Sequence, residues 1–81
     1  MAANNSTGTA FGLQDIQSGD PREHTGQIKD ALKQLSDHVR LDVGKVKDQR
    51  ARALFETTAE VLDGLHNAYE HFETRAEEAW K

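Results

Sequence analysis

Along the last third of the chain apolar residues return every seven positions. Phe55, Leu62, Tyr69 and Ala76 form one row, and Thr58, Leu65, Phe72 and Ala79 form a second. Seven residues is close to two turns of α-helix, so each row runs along one side of a cylinder, with Glu56, Asp63, Glu70 and Glu77 keeping the same interval beside them. The pattern predicts a helix from about Gln49 to Ala79, roughly 45 Å long at 1.5 Å per residue.

A second rhythm lies upstream, where Ile28, Leu32, Leu35, Val39 and Val46 alternate steps of four and three, with Ala31 beside them. Its one gap falls at Asp42, where Val43 takes over the contact. Asp20-Pro21-Arg22-Glu23 is a start signal: Asp20 as N-cap, Pro21 at the first helical position and Glu23 closing a capping box. The first helix is therefore expected from about Pro21 to about Val43. Gly44-Lys45-Val46-Lys47-Asp48 then reads as a left-handed glycine stop, two late cations and a new N-cap. So short a connection makes the helices antiparallel neighbours. Closing the hairpin near Val46 pairs Val39 with Leu54, Leu35 with Thr58, Leu32 with Val61 or Leu62, and Ile28 with Leu65. The longer second helix is then expected to overhang, leaving Phe72, Ala76 and Trp80 to be covered by Phe11, Leu13 and Ile16 or by a second subunit.

Residues 1–19 are Asn-, Ser-, Thr-, Gly- and Gln-rich and read as a disordered N-terminal arm, with the helical hairpin occupying 20–81. They lack the positive start and apolar run of a signal peptide. With 81 residues, no cysteine and 36% hydrophobic content, the chain sits near the size at which one core barely suffices, and no disulfide or thiolate metal site can support it. The absence of cysteine fits a cytoplasmic location. One neighbouring helix covers only one of the two seams on the second helix. The row Phe55, Leu62, Tyr69, Ala76, together with Phe72, is thus expected to be an oligomer interface. The fold class that follows is all-α: an antiparallel two-helix hairpin that self-associates into a dimeric four-helix bundle.

Charge agrees with this pairing. Residues 22–52 hold eight Lys or Arg against five Asp or Glu, and residues 53–81 hold two against seven, so antiparallel packing lays a basic helix beside an acidic one. A net charge of −4 argues against nucleic acid as the partner, and no stretch is apolar enough to span a membrane. The partner expected is a second copy, with a basic protein as another candidate for the acidic row Glu56, Glu60, Asp63, Glu70, Glu73, Glu77 and Glu78.

Candidate chemistry centres on four histidines, His24, His38, His66 and His71. Carboxylate-bridged metal sites in helical bundles use Glu-x-x-His pairs, which the chain lacks; the nearest substitute is Asp63-Gly64-Leu65-His66. In the expected pairing His38 approaches Glu56, with Glu60 one turn on. His38, Glu56 and Glu60 are thus a candidate site for iron, zinc or manganese, set against the plain reading of a solvated acidic face. His66 and His71, five apart, point in different directions. No nucleophile elbow or phosphate loop is present, and Ser6, Ser18 and Ser36 lie in unrelated contexts. The function expected is a small self-assembling structural or protein-interaction module without catalytic activity or cofactor, the alternative being a ferritin-like metal-binding oligomer.

Overall fold

A computed structural model of the chain describes residues 12–79, with side chains described through Arg75. Two helices, α1 (Pro21–Val43) and α2 (Gln49–Ala79), pack against each other. No strand occurs among the described residues. The contacts Thr25–Glu73, Lys29–Glu73, Ser36–Asp63 and Arg40–Asp63 run in opposite directions along the two helices, so the hairpin is antiparallel.

Both helix starts are built by aspartate. Asp20 Oδ1 accepts from the Arg22 amide at 3.0 Å, and Asp48 Oδ1 accepts from the Arg50 amide at 3.1 Å, each satisfying an amide that has no intrahelical acceptor. The expected capping box at Glu23 is relayed rather than direct. The Asp20 amide donates to Ser18 Oγ at 3.0 Å, and that hydroxyl donates to Glu23 Oε2 at 3.1 Å. Ser18 sits between the two groups that a capping box would join.

The connection differs from the glycine stop expected. Gly44 has φ −73° and ψ −11°, a right-handed conformation open to any residue, so α1 ends on a tight turn with the Gly44 amide donating to the Leu41 carbonyl. Val46–Asp48 has no regular structure, and α2 begins only at Gln49. The chain therefore does not double back at Val46. Instead the cross-helix bonds place Ile28 level with Phe72, Leu32 with Ala68, Leu35 with Leu65 and Val39 with Val61. That is about one heptad further along α2 than close folding at Val46 requires. The overhang moves accordingly to the start of α2, while Phe72 lies beside α1.

The segment before α1 is fastened from Gln14 onward. The Gln14 amide donates to Gln27 Oε1 at 2.9 Å and Gln27 Nε2 donates back to the Gln14 carbonyl at 2.6 Å, an amide side chain pairing with backbone as a neighbouring strand would. His24 Nε2 lies 2.6 Å from the Ser18 carbonyl, and Leu13 and Ile16 are half-buried. This part of the expected disordered arm is thus tied to α1; residues 1–11, including Phe11, lie outside the described residues.

Candidate functional site

The seam between α1 and α2 is narrow and partly polar. Among the described residues the buried apolar side chains are Ala59, at 0% exposure, and Leu62 at 9%, and the buried polar side chain is Ser36 at 1%. Small residues of both helices, Ser36 and Ala59, are buried there. Ser36 Oγ donates to Asp63 Oδ1 at 2.6 Å, so the buried hydroxyl is satisfied, and Arg40 pairs with Asp63 Oδ2. One end of the seam is closed by Glu73, which accepts from Lys29 Nζ at 2.7 Å and from Thr25 Oγ1 at 2.7 Å.

These contacts shift acidities. Ser36, then Arg40, hold the Asp63 carboxyl below its ordinary range; Lys29, then Thr25, do the same for Glu73, and Glu73 in turn raises the Lys29 ammonium. The Asp20 carboxyl is lowered by its hydrogen bonds with Arg22, side chain first, and Lys33 is raised by its partner Asp37. Most of these groups are open to water, so they orient the helices more than they stabilise them.

The burial pattern exchanges the two expected seams. Phe55, Leu62 and Tyr69 were assigned by the sequence to an oligomer interface, yet Leu62 is buried and Phe55 and Tyr69 are half-buried within the single chain. Their row belongs to the intrachain seam with Ala59, His66 and Glu73. The Ala76 side chain lies outside the described residues. The row left open is the other one: Leu54 is 62% exposed, Val61 56%, Leu65 45% and Phe72 46%. Of the interface residues named from sequence, Phe72 is the one found on this open row. The physical cause is charge. Asp63 and Glu73 reach the α1 cations only if α2 turns the Ala59–Leu62–His66 side inward, and that rotation carries Leu54, Val61 and Leu65 out.

The hairpin consequently has two unlike faces. Arg40–Asp63 and Lys29–Glu73 join the helices on one side, with Lys33 and Asp37 paired there at 2.9 Å. On α1, Ile28 and Leu35 lie on the opposite flank from Lys33 and Asp37; on α2, Leu54, Val61, Leu65 and Phe72 lie on the opposite flank from Asp63 and Glu70. Because the charged flanks share one side, the apolar flanks share the other. Ile28, 37% exposed, and the half-buried Leu32, Leu35 and Val39 therefore continue the α2 row into one apolar face. At one end of it an open apolar groove of about 280 Å³ lies between Thr25, Ala68, Tyr69 and Phe72.

The metal-site candidates are not gathered within one chain. His38 Nε2 lies 3.1 Å from Asp42 Oδ2, its neighbour one turn on, while Glu56 and Glu60 stand exposed on α2. Among the described residues no three His, Asp or Glu side chains are grouped to hold an ion. The heptad shift accounts for this, because it removes the level at which His38 and Glu56 were to meet. His66 Nδ1 lies 4.0 Å from Glu70 Oε1. The acidic row is split: Asp63 and Glu73 engage cations of their own hairpin, whereas Glu56 and Glu60 face solvent.

Two residues of the seam, Ser36 and Ala59, escaped sequence reasoning. The signal for Ala59 was present in the four-three spacing of Ala59, Leu62, His66, Tyr69 and Glu73, which is masked by its polar members. No helix among the described residues is long and apolar enough to cross a membrane. Compared with protein-family models, curated proteins and solved structures, the chain matches none of them.

Proposed function

We propose that the chain is a self-associating helical module, two hairpins forming a four-helix bundle that serves as a structural or protein-interaction element rather than a catalyst. The observation that carries this reading is the open row Leu54, Val61, Leu65 and Phe72, four large apolar side chains between 45% and 62% exposed on one flank of α2. Fully burying such a side chain is worth about 1.5–3 kcal/mol, so covering the exposed halves of four of them is worth several kcal/mol per chain. Among the described residues the hairpin's own seam fully covers few apolar side chains, Ala59 and Leu62, the rest being half-buried, so a further partner adds much of the burial. The histidines support the same reading, since His24, His38 and His66 each lie against a neighbouring backbone or carboxylate oxygen.

Light-scattering mass tests the proposal. The chain is expected at twice its 9.0 kDa mass at micromolar concentration, and Leu65→Glu is expected at the single-chain mass, while Glu60→Ala, on the solvated side, remains dimeric. A wild-type chain that stays monomeric and unfolds at a temperature independent of concentration would sink the reading.

A further inference from the structure

The cations of the hairpin fall into two groups. Four along its body each lie on a carboxylate: Arg22 on Asp20, Lys29 on Glu73, Lys33 on Asp37 and Arg40 on Asp63. At the turn, Lys45, Lys47, Arg50 and Arg52 are all exposed, and among the described residues none of the four makes an ion pair. Residues 45–52 set these four cations against Asp48 alone, whose Oδ1 is already engaged as the cap of α2. Asp42, just before the turn, lies against His38.

The register of the hairpin puts this group at one extremity. With Val39 level with Val61, the end of α1 comes level with Thr57, so the first two turns of α2 stand past it by about 12 Å. Lys45 and Lys47 lie on the turn leading up to that projection, and Arg50 and Arg52 on the projection itself. A net charge of −4 with +3 on residues 45–52 leaves −7 on the remainder, so charge is segregated along the long axis. The fold gains nothing from this placement. Cations in the first turn of α2 face the positive end of its macrodipole, and that turn holds no acidic residue to offset them.

We infer that the turn end of the hairpin, through Lys45, Lys47, Arg50 and Arg52, is a docking surface for an anionic lipid bilayer, met end-on without insertion. A flat surface touches the extremity alone. Glu60 and Asp63 then stand about 16 and 21 Å behind the first residue of α2, beyond the roughly 8 Å over which physiological salt leaves charges in contact. Single-stranded nucleic acid follows a basic stripe and stacks on aromatic side chains. Here the cations stop at Arg52, the exposed Glu56 and Glu60 come next on α2, and residues 44–54 contain no aromatic. Each Lys or Arg held near an anionic leaflet strengthens binding about fivefold, so four of them supply a gain of several hundredfold. Self-association is not needed for this contact, so the two readings fail separately.

Co-sedimentation of the full-length chain with vesicles tests the assignment. Vesicles of phosphatidylcholine alone are compared with vesicles in which about a third of the lipid is phosphatidylserine, at low and at high salt. Binding is expected on the phosphatidylserine vesicles only, and is expected to fall steeply as salt rises. Lys45→Gln with Lys47→Gln, two changes outside both helices, should weaken it about 25-fold, and adding Arg50→Gln and Arg52→Gln should abolish it, with circular dichroism checking that helix content is kept. Lys33→Gln, which removes a cation already paired on the body, should stay within about twofold of the unaltered chain. No binding to phosphatidylserine vesicles, equal binding to both kinds, or full binding by the Lys45→Gln, Lys47→Gln chain overturns the inference. Tighter binding to a single-stranded oligonucleotide than to the vesicles overturns it too, and assigns the tip to nucleic acid instead.

Discussion

Ala59 is the position at which the seam is most sensitive to size. Its side chain has no exposure, and the nearby seam residue Ser36 is also fully buried. Alanine and leucine have similar helix propensities, so Ala59→Leu leaves the isolated helix nearly unchanged and reports on space alone. Were the position roomy, the three added carbons would gain about 0.8 kcal/mol each from burial and the variant would be the more stable. With Ser36 and Ala59 both buried in the seam, the leucine has to push the helices apart or adopt a strained rotamer, which costs about 1–3 kcal/mol. Separation also lengthens the 2.6 Å Ser36–Asp63 bond and the Lys29–Glu73 contact, so the loss falls toward the upper end. For a chain of this size each kcal/mol lowers Tm by about 4–8 °C. Thermal unfolding followed by circular dichroism, at one fixed protein concentration, compares Ala59→Leu with Ala53→Leu, whose site is exposed on the far flank of α2 and whose effect is expected within about 0.5 kcal/mol. Equal or higher stability for Ala59→Leu refutes the tight burial of Ala59 and with it the assignment of the intrachain seam.

Further outcomes follow from the caps and the charges. At Gly44 a Cβ meets the Leu41 carbonyl oxygen at 3.6 Å, an ordinary contact, and φ is −73°, so Gly44→Ala is expected to raise stability by about 0.4–1 kcal/mol in urea unfolding; a left-handed site would lose stability instead. The lowered Asp63 and Glu73 carboxyls bind protons more weakly folded than unfolded, so their contribution is complete above the ordinary carboxylate range and disappears as pH falls through their depressed values. Tm measured from pH 7 down to pH 2 should drop across that acid range, and Asp63→Asn should flatten the drop; an unchanged profile in that variant removes Asp63 from the linkage.

Element boundaries were legible because they are written in local chemistry: Asp20-Pro21 opens α1, Asp48 opens α2, and both helices span the residues their periodicity indicates. What the sequence could not disclose was rotation and register. Two seams of comparable hydrophobicity share α2, and apolar spacing alone cannot say which one turns inward. The deciding groups were Ser36, Lys29 and Arg40, polar residues whose partners lie 23 to 44 positions away. The same loss of register undid the proposed approach of His38 to Glu56. Gly44 misled for a related reason, since glycine permits a left-handed stop without requiring one.

The Ser18 hydroxyl, which accepts from the Asp20 amide and donates to Glu23, makes the first turn of α1 depend on a residue outside the helix. For anyone trimming the chain this sets a boundary. A fragment opened at Asp20 retains every helical residue but sheds the hydroxyl bridge, the His24 contact with the Ser18 carbonyl and the Gln14–Gln27 clasp. A fragment opened at Gly12 preserves all three, so a faithful unit begins ahead of the cap rather than at it.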